Sequence, residues 1–374
     1  MLGIAIVVHF FVDFATSIFQ PLGPYITDKF SISPRMYAMA LYFISLVSSI
    51  TQPVFGTLTD KVSKRNIYLT VVASVTFLFA SLISIAGSFL IFLVFAFVAQ
   101  LSNSAFHPMG ASIAGQEKKQ HLAFFSIAGM FGYAVGPVFI SWYAEVHQLK
   151  GLYYFGILLA IFAVLTLPRV KSLEREKRKV RRSWFGFRVV MPIFFFVAFR
   201  SFSMGIAQLY GPLYAKMLGK SLVFGGSLLT FTRFIGMFLS TLGVYIGTRI
   251  GNSIINIISA GAMVVFGIVF ASTDFSNIPS VLMAVLFVLM LSPAYLSMSS
   301  TVVEAQSRLP RNPGFASSIV MGFAWSIGSL MNFIYSSIFG NDVEFMIKSF
   351  WAISLLALGA GIWDAVNVGF RQSQ

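Results

Sequence analysis

The sequence predicts an all-α integral membrane protein with twelve transmembrane helices in two pseudo-symmetric six-helix halves. Three observations lead there. The composition is 57% hydrophobic and 16% aromatic, with 42 Phe and a mean hydropathy of +0.84, which leaves too little polar residue to cover a soluble globule. Apolar segments of helix length lie on both sides of one polar stretch, and spans of roughly 20 residues use up most of the 374 residues. No room remains for a separate soluble catalytic domain. The polar stretch, Arg169 to Arg188, carries nine Lys/Arg against two Glu in a chain that is 10% charged.

That stretch sets the topology. A run this basic crosses a bilayer only at high cost, and short basic loops stay on the cytoplasmic side. It divides the chain into an N-terminal half at 1–168, a linker at 169–188 and a C-terminal half at 189–374. The other reading of such a run is a nucleic-acid tail, but the flanking segments are too apolar for a soluble domain. The net charge of +14 is sorted by side: even-numbered connections and the C-terminus carry 18 Lys/Arg, and odd-numbered ones carry 6. Both termini are then expected to be cytoplasmic, in a cell inner or plasma membrane, with the excess charge facing anionic lipid. The chain has no Cys, which excludes disulfides, iron–sulfur clusters and thiol nucleophiles. Met1 leads almost directly into the first span, so no cleavable signal is expected.

Span 1, about Leu2 to Ile26, contains His9 and Asp13. Their spacing of four puts both on one helix face, about a turn apart. A carboxylate at this depth is either a polar group bonded to a neighbouring helix or a functional one, and an intramembrane ionisable residue is functional by default. Gln20, Pro21 and Pro24 follow, so the outer end of the span should be kinked or loosened. Span 2, about Tyr37 to Leu58, ends in Gly56-Thr-Leu-Thr-Asp60-Lys61-Val-Ser-Lys64-Arg65. A tight turn here needs a glycine for close helix approach and an acid to cap a helix start. An ordinary charged loop is the alternative. The stretch resembles the signature loop of major facilitator transporters, with Ser63 in place of the second glycine. That resemblance implies a gating role for Gly56, Asp60, Lys61 and Arg65. A degraded echo, Gly243-Val-Tyr-Ile-Gly247-Thr-Arg249-Ile-Gly251, follows span 8, as an internal duplication would leave.

Span 3 covers about Asn66 to Ala86, and span 4 ends in Asn103-Ser-Ala-Phe-His107-Pro108-Met-Gly110-Ala-Ser112. Pro108 removes a helix donor and opens the backbone beside His107, which is either a packing residue or a partner of His9 at similar depth. Span 5 carries Gly132-x-x-x-Gly136-Pro137, a small-residue face for tight contact followed by a kink. It is similar to the core of the antiporter signature in drug-exporting major facilitators, which implies export. Spans 7 and 8 hold Arg200 and Arg233, neither near enough to a helix end to snorkel easily. Pairing with Asp13 would satisfy one of them. Two arginines against one carboxylate leave surplus positive charge, as in a cavity that receives an anion. Gln20, Tyr210 and Trp325 are further candidates to contact the substrate, although Trp325 can equally be packing. Span 10 is serine-rich, from Ser292 to Ser300, span 11 has small residues from Gly314 to Gly328, and span 12 runs from about Ile347 to Val368.

Five stretches together resemble the fosmidomycin-resistance group of major facilitator exporters, over nearly the whole length. They are His9-x-x-x-Asp13; Gln52-Pro53-x-x-Gly56-x-x-x-Asp60-Lys61; Phe106-His107-Pro108; Gly129-x-x-Gly132-x-x-x-Gly136-Pro137; and Ala305-Gln306-x-x-Leu309-Pro310 leading to Gly322-Phe-Ala324. The resemblance implies proton-driven efflux of small, often anionic or drug-like compounds by alternating access. After Phe-His-Pro the family often has polar and charged residues where this chain has Met109-Gly-Ala-Ser112. On this reading Asp13, His9 and His107 couple protons, and Arg200 and Arg233 receive substrate charge. An uptake symporter or uniporter for an anionic metabolite accounts for the arginines equally well. A membrane enzyme lacks the needed constellation, with His9 and Asp13 a bare pair of metal-capable ligands, and a channel has no use for two halves with latch loops. The expected partners are a small-molecule substrate, protons and the bilayer, with no cofactor, no metal and no nucleic acid, in a monomer.

Overall fold

The computed structural model describes residues 2–59, 62–114, 119–170, 187–310 and 312–372. Every regular element among them is helical. A bilayer offers the backbone no water, so each spanning segment must satisfy its own N–H and C=O groups, and a helix does so. The helices are α1 (Leu2–Thr16), α2 (Gly23–Lys29), α3 (Pro34–Thr59), α4 (Arg65–Leu82), α5 (Phe89–Ala114), α6 (Lys119–His147) and α7 (Leu152–Thr166). Beyond the linker come α8 (Phe187–Met217), α9 (Leu222–Ile250) and α10 (Asn252–Ser272), followed by α11 (Ser280–Leu291), α12 (Pro293–Leu296) and α13 (Met298–Arg308). The last are α14 (Pro313–Ser318), α15 (Ala324–Phe339), α16 (Val343–Lys348) and α17 (Phe350–Gln372).

Eleven helical runs among the described residues are long and apolar enough to cross a bilayer, and Gly3–Thr16 is shorter. The first span is thus built in two pieces. α1 stops at Thr16, turns occupy 17–22, and α2 resumes with Pro24 in its first turn. Proline lacks a backbone N–H and crowds the preceding turn, so Pro21 and Pro24 account for the break. The tenth span is likewise three short helices in series, interrupted at Ser292–Pro293 and Ser297. In the eleventh, a π turn at Ile319–Phe323 joins α14 to α15. By contrast α5 runs on through Pro108 and α6 through Pro137, so the expected opening beside His107 leaves the helix continuous.

The helices pack as two units. The first takes in the described residues of 1–32, 47–178 and 221–230. In it α1 lies along α6, while α4 packs on α5 and α7. The second takes in the described residues of 33–46, 179–220 and 231–374, with α8 at its centre against α15 and α17. The core there is apolar, built on Val190, Ile193, Phe196, Val197, Ile319 and Val320. Side chains such as Leu90, Phe238 and Val281 are exposed, as expected where a helix faces lipid tails. Residues 33–46 of α3 bond within the second unit: the Tyr42 hydroxyl donates to the Gly205 carbonyl at 2.9 Å, and Ser45 and Ser329 hydroxyls pair at 2.9 Å. Residues 221–230 bond within the first. Glu145 accepts from the Val223 N–H at 3.0 Å, a carboxylate at the positive end of α9, and Thr230 accepts from the Val138 N–H at 3.2 Å, beside Pro137.

Candidate functional site

Three ionisable side chains converge inside the first unit. The α1 spacing places His9 and Asp13 one turn apart, and His9 Nε2 lies 3.2 Å from Asp13 Oδ2. α5 supplies His107, whose Nε2 lies 3.3 Å from Asp13 Oδ1. Each carboxylate oxygen therefore has its own imidazole. The rings are fixed from behind: His9 Nδ1 donates to the Phe125 carbonyl at 2.7 Å, and His107 Nδ1 donates to the Asn103 carbonyl at 3.0 Å. His9 also stacks on the Phe125 ring at 3.8 Å and meets His107 edge-on at 5.1 Å. Among the described residues these are the three whose ligand atoms, all within 4.8 Å of one another, could offer a three-point site to a metal ion. The Nε2···O separations are those of ion-pair contacts, and His9 Nε2 makes no hydrogen bond among the described residues.

Glycines on α6 let α1 approach this closely. A Cβ on Gly129 would fall on the His9 ring and within 2.5 Å of Asp13 Oδ2. A Cβ on Gly132 would strike the Phe10 carbonyl, and one on Gly136 the Ser17 hydroxyl and Phe14 carbonyl. The small-residue face read from the sequence thus lies against α1, and its first member, Gly129, sits directly behind the carboxylate. Phe125, one turn before Gly129, is a site residue that sequence reasoning missed. It acts through its carbonyl and ring, and a phenylalanine among 42 gives no signal. Gln20 lies farther along the first span, its carbonyl accepting from the Tyr133 hydroxyl at 3.4 Å.

In the second unit Arg200 is buried on α8. Its Nη1 donates to the Ser297 hydroxyl at 2.8 Å, and its guanidinium sits 5.6 Å from the Phe196 ring centroid. Ser297 in turn pairs with Ser259 of α10 at 2.9 Å. Among the described residues no carboxylate pairs with Arg200, and its Nε has no hydrogen-bond partner. Asp13 takes two histidines rather than an arginine. Arg233 is buried on α9. Nearby on that helix Gly236 faces the Tyr295 ring, whose hydroxyl accepts from Gln208 Nε2 at 3.2 Å. Tyr210 is fully buried, donating to the Gly340 carbonyl at 3.4 Å. Trp325 packs against the apolar core of the unit. Asp364, fully buried on α17, accepts from Arg308 at 2.7 and 3.1 Å and from the Ser253 hydroxyl at 2.8 Å. Its role is structural.

Of the expected gating loop, Asp60 and Lys61 lie outside the described residues, as does the linker from 171 to 186. Arg65 is buried at the start of α4, donating to Met109 Sδ at 3.3 Å and to the Ser112 hydroxyl. Met109 and Ser112, where the chain departs from the charged pattern after Phe-His-Pro, thus serve to seat Arg65. A Cβ on Gly56 would meet nothing within 4 Å. An apolar crevice among Phe14, Phe77, Phe139 and Phe155 carries no ionisable group and offers no chemistry of its own.

No curated protein sequence matches the chain closely enough to count as a relative. Solved structures do match in fold. A D-xylose–proton symporter superposes with a TM-score of 0.74 at 14% identity, covering 97% of this chain and 96% of that one. The nucleoside transporter NupG gives 0.71 at 15% identity over 98% of each chain. A bacterial homologue of the human lysosomal transporter Spinster gives 0.70 at 12% identity, over 99% and 95%. The family description Major Facilitator Superfamily matches residues 5–332. With its helical spans, and with transporters as its structural neighbours, the chain is a multi-pass membrane transporter that belongs to the major facilitator superfamily.

Proposed function

We propose that the protein is a proton-coupled exporter of a small, anionic or drug-like compound, of the fosmidomycin-resistance type. It would work by alternating access of two six-helix halves, 1–168 and 189–374, joined by the basic linker. The observation that carries this reading is a membrane-embedded carboxylate with an imidazole on each oxygen. Such a group can take up and release a proton without being left unbonded. Asp13 is the proton site, with His9 and His107 as its partners. Arg200 supports an anionic substrate, because a buried guanidinium without a carboxylate is costly unless an anion arrives. Arg233 adds to that charge, and Gln20, Tyr210 and Trp325 complete the candidate substrate contacts. Proton and anion would compete for stabilisation of the same conformations, which couples their fluxes.

Gly132, Gly136 and Pro137 let α6 shift against α1, and Gly56, Asp60, Lys61 and Arg65 act as the cytoplasmic latch. Positive-inside charge supports cytoplasmic termini in a plasma or bacterial inner membrane. The test is proton flux in vesicles holding the purified monomeric protein. An imposed pH gradient is followed while small anions, phosphonates included, are added. Dissipation by one compound, lost in Asp13→Asn with the protein still folded, supports the reading. Full activity of that variant rejects the carboxylate assignment, and accumulation in the opposite direction would make the protein an uptake symporter.

A further inference from the structure

A histidine that ligates a metal binds through one ring nitrogen. The other donates its proton to a carbonyl or carboxylate, which fixes the tautomer and aims the lone pair. Both histidines beside Asp13 are held that way. A backbone carbonyl can only accept a hydrogen bond, so the contacts of His9 Nδ1 with Phe125 at 2.7 Å and of His107 Nδ1 with Asn103 at 3.0 Å place a proton on each Nδ1. In the neutral ring this leaves a lone pair on Nε2. Both Nε2 atoms lie beside one carboxylate, which has lone pairs of its own. Three electron-rich donors that face one another suit a cation among them.

Their placement narrows which cation. His9 Nε2 is 3.2 Å from Asp13 Oδ2 on a side chain only 6% exposed, yet it makes no hydrogen bond among the described residues. A shared proton has to lie near the line from nitrogen to oxygen, whereas a metal ion bound to both sits off that line, at the apex of a triangle. Tetrahedral zinc, at about 2.1 Å from its ligands, sets neighbouring ligand atoms about 3.4 Å apart. The two Nε2···O separations are 3.2 and 3.3 Å, and donor atoms of all three residues lie within 4.8 Å of one another. Two imidazoles and a carboxylate suit zinc and its neighbours in the first transition row, while magnesium and calcium favour oxygen ligands throughout. Three protein donors leave a fourth position for water.

We propose that His9, Asp13 and His107 form a binding site for a divalent transition-metal ion of the zinc class. His9 and Asp13 are a pair of donors on α1, and the packing of α5 beside α1 supplies the third. A bound ion ties α1 to α5, and α6 steadies the His9 ligand from behind through the Phe125 carbonyl and ring. The site does not require Asp13 to carry protons in transport, so the two readings fail separately.

The purified protein, freed of any affinity tag and stripped with a chelator, is titrated with Zn²⁺ and with Co²⁺, whose visible absorption reports a four-coordinate site of nitrogen and oxygen. One ion should bind per chain, excess Mg²⁺ should not displace it, and the unfolding temperature should rise with Zn²⁺ concentration. His9→Gln, His107→Gln and Asp13→Asn should each weaken Zn²⁺ binding by more than the roughly tenfold that losing an outer-shell partner costs, and each should lose the Co²⁺ band. Replacing the exposed His147 by Gln should change neither. Absence of the Co²⁺ band in the folded wild type overturns the proposal. So does binding that survives in the double variant of His9→Gln with His107→Gln, which would mean an adventitious ion only. The wild-type spectrum decides even where a variant fails to fold. Wild-type proton flux in Asp13→Asn would end the proton-site reading, while loss of metal binding in that same variant would still support this one.

Discussion

Gly129→Ala places a methyl group in the His9–Asp13–His107 cluster without removing any of its polar atoms. The new Cβ would fall within 2.5 Å of both Asp13 Oδ2 and His9 Nε2, where ordinary contacts with carbon are about 3.5 Å. About 1 Å must be found. The His9 ring cannot supply it by rotating, since Phe125 holds it by stacking and through Nδ1. Asp13 cannot withdraw without leaving an imidazole. Either α6 moves back from α1, where Gly132 and Gly136 already meet backbone and hydroxyl atoms, or the cluster opens. Overpacking of this kind costs about 1–3 kcal/mol, against a gain of up to about 1 kcal/mol from replacing a helical glycine. A net loss of about 1–2 kcal/mol is about five- to thirtyfold in the population of the intact cluster. The assay is substrate-driven proton flux in vesicles alongside thermal unfolding in detergent. Gly359→Ala serves as control, because its Cβ would meet nothing within 4 Å. Wild-type coupling in Gly129→Ala, with unchanged unfolding, would refute the claim that α6 braces the carboxylate.

Arg200→Met removes a buried charge that no carboxylate among the described residues pairs with. Thermal stability should hold or rise, while binding of an anionic substrate falls about tenfold or more, the worth of a charged hydrogen bond. Unchanged anion affinity would take Arg200 out of the substrate site. Asp364→Ala removes the fully buried partner of Arg308 and Ser253 while Glu304 stays 2.9 Å from Arg308 Nε, and should cost about 1.5–3 kcal/mol, read as a fall in unfolding temperature. A loss confined to transport at normal stability would contradict the structural role. Asp274, in the loop after α10, accepts from the Ser276 N–H at 3.0 Å and hydroxyl at 2.7 Å. Those bonds, with a smaller contribution from the positive charge of Lys348, hold its carboxyl below the ordinary aspartate range. Its contribution to stability is therefore present above the ordinary value and is lost as pH falls through the lowered one. Ser276→Ala should raise the Asp274 titration midpoint measured by NMR, and an unmoved midpoint would take the Ser276 hydroxyl out of its causes.

Segment length and apolarity, read from the sequence, were enough for the membrane-spanning helical fold, because a bilayer leaves a helix as the way to satisfy the backbone of such segments. The break in the first span was legible for the same local reason, in Pro21 and Pro24. Spacing also put His9 and Asp13 on one face, since a turn of helix is a local quantity. What joined His107 to them was the packing of α5 beside α1, which no pattern along either helix encodes. The carbonyls of Phe125 and Asn103, which orient the two rings, were invisible because every residue has one. Nor could the sequence say that Arg200 would meet Ser297, itself paired with Ser259 of α10, and that Asp364 would meet Arg308. Charges can be counted along a chain, but a counter-charge is assigned only where helices distant in sequence come within a few ångströms of one another.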